Sequence, residues 1–379
     1  MIRVLITDDQ LATLGDPVEG WTSVEVDLRF NEPGGGTIVA PASADLLDRL
    51  QPGNRIVVVR DGAVFAAGPI EQIGPYEWAA SGEHSPPGTI AVTFAEDLAL
   101  IVARDTYPDP ALTATNQTTD ARWTATDLAG QIMLDLVDVN AGPSALTVRR
   151  VPRLITGAGA GLGTTVEFGT RFAPVGDELR SLAIAGGGLG FRSRQVDDDI
   201  VFDVYDPDDK SASVRFTPGD GSVRSFTFSL AAPRANAAVV AGSGEGTARE
   251  FVERTSADGW PRMEAFVDQR QAESTTELEQ AGDEALADGA PTAEVTAELV
   301  DSDLRRFGVD FGLGDLVSFA PLPGFQVIEV VLAAKLTATA KESEVVSVSI
   351  GNTAASNSDP DWLRSVRDLS RRVGRLEAI

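Results

Sequence analysis

The sequence predicts a mainly β protein with an α+β insertion: two related small β-barrel modules, a middle α+β domain and a short C-terminal helix that forms a coiled coil. Three observations predict this class. Short stretches near both ends of the chain alternate apolar and polar residues, as half-buried strands do. The segments Gly53–Ile73 and Gly314–Val331 share one hairpin layout. Between them, apolar residues recur at helical spacing.

Length and composition set the number of domains. The chain has 379 residues, of which 43% are hydrophobic, and this length suggests about two or three cores. The predicted domains are a first β-barrel module over residues 1–112, an α+β insertion domain over 113–228, a second β-barrel module with one helix over 229–352, and a linker with a C-terminal helix over 353–379.

The first module begins with a predicted strand from Val24 to Phe30, in which apolar and charged residues alternate. Pro33 to Gly36 is expected to interrupt strand structure, since proline and glycine are strong breakers. A helix is predicted from Ser43 to Leu50, with Ser43 as its N-cap. The first hairpin follows, then a loop that contains His84, and then a strand from Ile90 to Phe94.

The second module repeats this layout. Both hairpins open on glycine, alternate apolar residues, turn at Asp61-Gly62 or Pro323-Gly324, and return through an Ile-Glu-x-Ile/Val sequence. A strand of the same alternation then follows, Ile90–Phe94 in one copy and Val346–Ile350 in the other. Two unrelated hairpins could also look alike at this level, so the duplication is a prediction.

The middle domain combines helices and strands. One helix is predicted from Thr126 to Val137, with Asp127 in its first turn, where the helix dipole favours a negative charge. A second is predicted from Asp177 to Ala185 and ends at three glycines. Two strands, Gly190–Val196 and Ile200–Tyr205, are joined by an acidic turn.

Two further helices are predicted near the end of the chain. Ser274 and Glu277 have the spacing of a capping box, and Gly289 ends the helix that they begin. In the last helix, apolar residues step by four and three, which is the pattern of a coiled-coil seam: Trp362, Val366, Leu369, Val373 and Leu376. The same stripe could dock on its own chain, but the polar linker before it favours a coiled coil between chains.

No catalytic, cofactor-binding or metal-binding residue is predicted. The glycine-rich stretch Gly157–Gly163 lacks glycine at the sixth place that a dinucleotide fingerprint requires, so it is interpreted as a loop. Acidic runs at 197–199 and 206–209 fit turns better than calcium sites, because neither has the spaced calcium-loop pattern. His84 is the single histidine and no cysteine is present, which argues against zinc hydrolases and nucleophilic triads.

The net charge of −26 disfavours general binding to nucleic acid or anionic membranes, because such binding needs clustered Lys and Arg. The first residues lack the layout of a signal peptide, and no apolar run approaches the length of a membrane span. We therefore expect a soluble protein that is made in the cytoplasm. The acidic charge would also suit a surface past which DNA slides.

Four stretches carry a resemblance to a known family. They are Phe30–Pro41, Leu50–Asn54 with the first hairpin, Ala231–Gly242 and Phe311–Val317. With them, the chain resembles the baseplate-hub, or tail-associated minor tail proteins, of long non-contractile tailed phages of actinobacteria.

The resemblance implies a structural, non-enzymatic virion protein without cofactors, located at the tail tip and assembled in the host cytoplasm. It implies a homotrimer whose paired barrels form a ring of six. The expected partners are the distal tail protein or tail tube ring, the tape measure protein and tail fibre or spike proteins, with genomic DNA only in passage and no membrane. Two alternatives stay open: a carboxylate-dependent glycosidase, since acidic pairs are plentiful, and a carbohydrate-binding adhesin, which would need exposed aromatic side chains on one β face.

Overall fold

The computed structural model describes residues 2–79, 88–257, 259–270, 272, 274–299, 305–322, 325–340 and 344–351. His84 and the predicted seam from Trp362 to Leu376 lie outside these residues. The fold is mainly β, as predicted from the alternating stretches. Its helices are α1 (Ala44–Arg49), α2 (Leu98–Val102), α3 (Ala129–Asn140), α4 (Val175–Ala185) and α5 (Thr275–Asp288).

The strands are, in chain order, β1 (Ile2–Thr7), β2 (Ser23–Arg29), β3 (Glu32–Pro41), β4 (Arg55–Arg60), β5 (Ala63–Glu77), β6 (Thr89–Ala95), β7 (Trp123–Leu128), β8 (Leu154–Thr156), β9 (Thr165–Thr170), β10 (Gly190–Val196), β11 (Asp199–Tyr205), β12 (Arg215–Phe216), β13 (Val223–Ala231), β14 (Ala237–Ala241), β15 (Phe251–Thr255), β16 (Glu264–Asp268), β17 (Thr292–Leu299), β18 (Leu316–Leu322), β19 (Phe325–Thr339) and β20 (Val345–Gly351).

Contacts divide the chain into two compact units. The first comprises Met1–Ser225 and Ala297–Val348, and the second comprises Phe226–Thr296 with the chain from Ser349 on. Strands β13, β17 and β20 therefore have residues in both units. This division is coarser than the one expected from the sequence, so the boundaries at 112/113 and 228/229 stay predictions.

The largest sheet repeats one order of strand pairing. Its strands run β1-β4-β5-β6-β3-β2-β19-β20-β17-β13, and β18 pairs with β19. The order β4-β5-β6-β3-β2 matches β18-β19-β20-β17-β13 strand for strand, and the members of each set also follow one another in the same chain order. The strands of both predicted hairpins pair antiparallel, β4 with β5 and β18 with β19, and the predicted turn at Pro323-Gly324 lies outside the described residues. Among the described residues the sheet does not close into a barrel.

The expectation for Pro33–Gly36 was wrong, because these residues belong to strand β3, in which Gly35 and Gly36 pair with both β2 and β6. The turn lies earlier, at Asn31, whose φ is +57°. Glycine is needed in the strand because its neighbours approach so closely. A Cβ on Gly34 would lie 2.2 Å from the carbonyl oxygen of Asp27, and one on Gly36 would lie 2.5 Å from that of Glu25.

The helices and strands predicted for the insertion are present, but both limits of its first helix were wrong, since α3 ends at Asn140 instead of Val137. Helix α3 begins at Ala129, not at Thr126, and Asp127 lies in strand β7, where it pairs with Val166 of β9. The two threonines of β7 are β-branched and favour a strand. Helices α3 and α4 share one core with the β10-β11-β8 sheet, which includes Ile132, Leu179 and Phe202.

The second unit contains a three-stranded sheet in the order β15-β14-β16, and helix α5 packs on one of its faces. Leu278 and Ala281 of the helix contact Val240, Val252 and Val267 of the sheet. The predicted cap is confirmed, since the Ser274 hydroxyl accepts a hydrogen bond from the Glu277 amide at 3.3 Å. No helix in the described part of the chain has the length and apolarity to cross a bilayer.

Candidate assembly surface

The two strand sets meet where β2 pairs with β19. The pairing is antiparallel and runs from Ser23 opposite Thr339 to Arg29 opposite Ala333. Alternate residues on the inner face are buried on both strands, among them Val26 and Leu336. On the outer face, the Lys335 ammonium lies 2.8 Å from the Glu25 carboxylate. This β2–β19 seam therefore combines backbone hydrogen bonds, a continuous apolar face and one exposed ion pair.

The strand that corresponds to β19 in the first set is β5, which has no such neighbour among the described strands. Residues 63–69 of β5 pair with β4, and residues 70–77 pair with β6. In the described part of the chain, no strand pairs with the other edge of residues 71–77. Three large apolar side chains on and just after this half-strand are exposed: Ile73 (38%), Tyr76 (55%) and Trp78 (57%).

Strand β13 corresponds to β2 and ends the strand order, so its outer edge is not paired with a strand among the described residues. Phe226 on this strand is 39% exposed. Exposed edges with apolar side chains are open to pairing with another chain, and proteins usually shield them. The protein thus presents two edges, on β5 and β13, that correspond to the two strands joined in the β2–β19 seam.

The tip of the first hairpin is held by residues that precede strands of the second strand set in the chain. Arg306 donates to Asp61 at 2.6 Å, and Arg60 donates to Glu344 at 2.9 Å and to the Phe307 carbonyl at 3.5 Å. Hydrogen bonding, to which the Arg306 guanidinium contributes, lowers the pKa of the exposed Asp61 carboxyl. These contacts hold β4 and β5 against the second half of the chain.

Polar side chains attach the insertion to the large sheet. The Asn31 side chain donates to the Leu189 carbonyl at 2.9 Å and accepts from the Phe191 amide at 2.8 Å. The Tyr205 hydroxyl donates to the Leu313 carbonyl at 3.0 Å, and burial raises its pKa. Asn31 therefore both shapes the β2–β3 turn and positions β10, a role that its sequence context did not indicate.

The glycine-rich and acidic stretches that were considered as ligand sites have structural roles. In the Gly157–Gly163 loop, the Ala158 amide donates to Asp203 at 3.0 Å, and a Cβ on Gly159 would lie 2.6 Å from Val204. This loop is therefore packed on β11 at its start. The acidic stretch 197–199 forms the β10–β11 turn, with Asp197 at a φ of +52°. Among the described residues, no three acidic or histidine side chains are grouped as a metal site would require.

A family model covers nearly the whole chain. The model of the Siphovirus ReqiPepy6 Gp37-like proteins matches residues 2–352. The chain belongs to this family. A comparison with curated protein sequences gives no match.

Solved structures share the fold of this Gp37-like protein. The 43 kDa tail protein of prophage MuSo2 from Shewanella oneidensis has a TM-score of 0.61 at 12% identity, over 92% of this chain and 98% of that one. A tail protein from Neisseria meningitidis MC58 has a TM-score of 0.57 at 12% identity, over 93% and 97%. Prophage tail protein gp18 from Listeria monocytogenes EGD-e has a TM-score of 0.56 at 10% identity, over 93% and 95%. The chain therefore has a fold found in phage tail proteins.

Proposed function

We propose that this Gp37-like protein is a structural, non-enzymatic component of the phage tail tip, where three copies form a baseplate hub. The family and the fold support a tail protein. The repeated strand order supports the hub, because a chain with two similar halves can present six similar modules from three copies. Such a ring would meet the sixfold tail tube or distal tail ring through nearly equivalent contacts.

The β2–β19 seam is the observation that carries the proposal. It joins the last strand of the first set to the long strand of the second set. If β13 of one copy joins β5 of the next in the same way, the contact is head-to-tail, and such contacts close into a ring when the rotation allows. Pairing would also cover Ile73, Tyr76 and Trp78, which are otherwise costly to expose.

The outer face of the large sheet suits a passage for DNA. Its alternate positions carry threonines on β3, β6 and β19, and its charges are mostly matched: Glu25 with Lys335 at 2.8 Å, and Asp27 with Arg29 at 2.8 Å. A polar surface without clustered basic residues binds phosphates weakly. We assign this face to the channel through which DNA and the tape measure protein pass.

The C-terminal residues would make a second contact between chains or with a neighbouring protein. The seam from Trp362 to Leu376 would join three chains in a short coiled coil below the ring, or anchor a central fibre or spike protein there. This role comes from the sequence pattern.

The test is the mass of the protein in solution. Light scattering after size exclusion should give three times the 39.9 kDa chain mass. The double variant Tyr76→Arg and Trp78→Arg should lower that mass, because charges would be buried at the β5 edge. Val148→Arg is the control, since Val148 is 89% exposed in the insertion. A monomeric wild-type protein at tens of micromolar, or an unchanged trimer in the double variant, would refute the ring.

One observation favours a second candidate, the adhesin. Phe251 and Phe266 are 55% and 63% exposed on the face of the β15-β14-β16 sheet opposite α5, with the Arg249 guanidinium about 6 Å from both ring centres. Flat exposed aromatic rings can stack on sugar rings. Binding to host cell-wall polysaccharide that is lost in Phe251→Ala and Phe266→Ala, but not in Val148→Arg, would support this role.

A further inference from the structure

A cavity of about 250 Å³ lies in the first unit, between β5, the β6–α2 junction and β10. One wall is apolar and is formed by Ala63–Ala67. The other is polar and carries Glu96, Asp97 and residues 193–195 of β10. Val64 at the apolar wall is 40% exposed, so the wall reaches solvent. The cavity is large enough to admit one long side chain.

Among the described residues, each charge at the cavity except that of Glu96 has a matched partner. The buried Asp97 carboxylate is held by Arg55, at 2.5 Å and 3.1 Å. The Arg194 guanidinium donates to Asp203 at 2.7 Å. Glu96 accepts a hydrogen bond from the Gly34 amide at 2.7 Å, but it makes no ion pair among the described residues.

The surroundings of Glu96 make its negative charge unfavourable. Burial raises its pKa to about 7, the Gly34 amide opposes that shift, and the nearby Asp97 and Asp27 carboxylates add to it. Asp97 and Asp27 are already engaged with Arg55 and Arg29. The cavity therefore has a net charge of one negative unit whenever Glu96 is ionised.

We infer that this cavity receives a single basic side chain, lysine or arginine, from a neighbouring protein, with Glu96 as its counter-ion. The apolar wall fits the methylene stem of such a side chain, and Glu96, Ser193 and Gln195 fit its charged end. A bare metal ion fits less well, because the described residues offer no group of three acidic or histidine ligands there. The inference adds a docking point to the proposed assembly role and does not depend on the trimer.

The test uses small probes on the full chain. N-acetyl-L-arginine amide and N-acetyl-L-lysine amide carry the side chains, and N-acetyl-L-citrulline amide is the uncharged match of arginine. At pH 8 the two basic probes should raise the melting temperature and bind with Kd on the order of 1–10 mM, typical of one isolated contact. Citrulline amide should not.

Two variants test whether the basic probes bind at Glu96. Glu96→Gln keeps the shape and should remove the response to both basic probes, whereas Glu71→Gln, at an exposed acid of β5, should keep it. Equal responses in Glu96→Gln, or an equal effect of citrulline amide, would overturn the inference. So would the absence of any saturable response up to about 100 mM probe, since that limit lies well above the expected Kd.

Proton release on probe binding can be measured with the wild-type protein alone. Because Glu96 must ionise to hold a cation, binding near pH 7 should release about half a proton per probe. Calorimetry in buffers of different ionisation enthalpy measures this release. Binding without proton release would contradict the assignment to Glu96, whatever the oligomeric state of the protein proves to be.

Discussion

Arg60 and Glu344 are 284 residues apart in the chain, and their side chains form an ion pair of 2.8 Å. Arg60 ends strand β4 of the first set, and Glu344 precedes strand β20 of the second. Their side chains are 6% and 22% exposed. The pair therefore links the two strand sets at a point where water is largely excluded.

Removal of the carboxylate from this pair should destabilise the protein. Glu344→Ala leaves a largely buried guanidinium without this anion, and we expect a loss of about 2 kcal/mol, below the cost for a fully buried pair because Glu344 is partly exposed. Lys335→Ala is the control, since its pair with Glu25 is about half exposed and should change stability by less than about 1 kcal/mol. Urea unfolding measures both. Similar losses in the two variants would contradict this account of the buried pair.

Strand β3 should not tolerate a side chain at Gly34. Gly34→Ala places a Cβ against the Asp27 carbonyl, so β2 and β3 must separate, and we expect a loss of about 2–4 kcal/mol. Gly161→Ala is the control, because a Cβ there meets nothing within 4 Å, and it should cost less than about 0.5 kcal/mol. Thermal or urea unfolding distinguishes the two. A stable Gly34→Ala protein would show that the β2–β3 contact adapts easily.

Glu96 should make stability depend on pH. Its pKa is raised to about 7 in the folded protein from 4.5, so the folded state binds the proton more tightly than the unfolded state. Stability from this group is present below pH 4.5 and is lost as pH rises to 7, by at most about 3 kcal/mol. Unfolding of wild type and Glu96→Gln at pH 5 and pH 8 measures it. The variant should gain relative stability at pH 8, and a difference that is the same at both values would contradict the assignment.

The C-terminal segment should contribute to trimer stability. Removal of residues 359–379, or Leu369→Asp within the seam, should shift the trimer toward smaller species on dilution, because a charge cannot be buried in a coiled-coil seam without cost. Arg367→Ala, outside the seam, should leave the mass unchanged. Light scattering at a series of concentrations measures this. If deletion leaves the trimer intact, the coiled-coil prediction is wrong, and the β5–β13 ring can still hold.

Local chemistry explains why much of the secondary structure was predictable. Alternation identified β2 and β6, and serine caps located the starts of α1 and α5. The errors came where tertiary contacts outweigh local preference. Gly34 and Gly36 lie in a strand because glycine lets the neighbouring backbone approach more closely than a Cβ would allow. Thr126 pairs with Glu167 of β9 instead of starting a helix.

The sequence by itself determined the β class, both hairpins, most helix limits and the likeness between the two ends of the chain, because these depend on residues close together in the chain. Only the tertiary structure decided that β2 pairs with β19. It also decided that, within the described part of the chain, the edges of β5 and β13 are unpaired and Glu96 lines a cavity without a counter-ion. Those features depend on residues that are distant in sequence, and backbone pairing between distant strands leaves no spacing pattern in either strand.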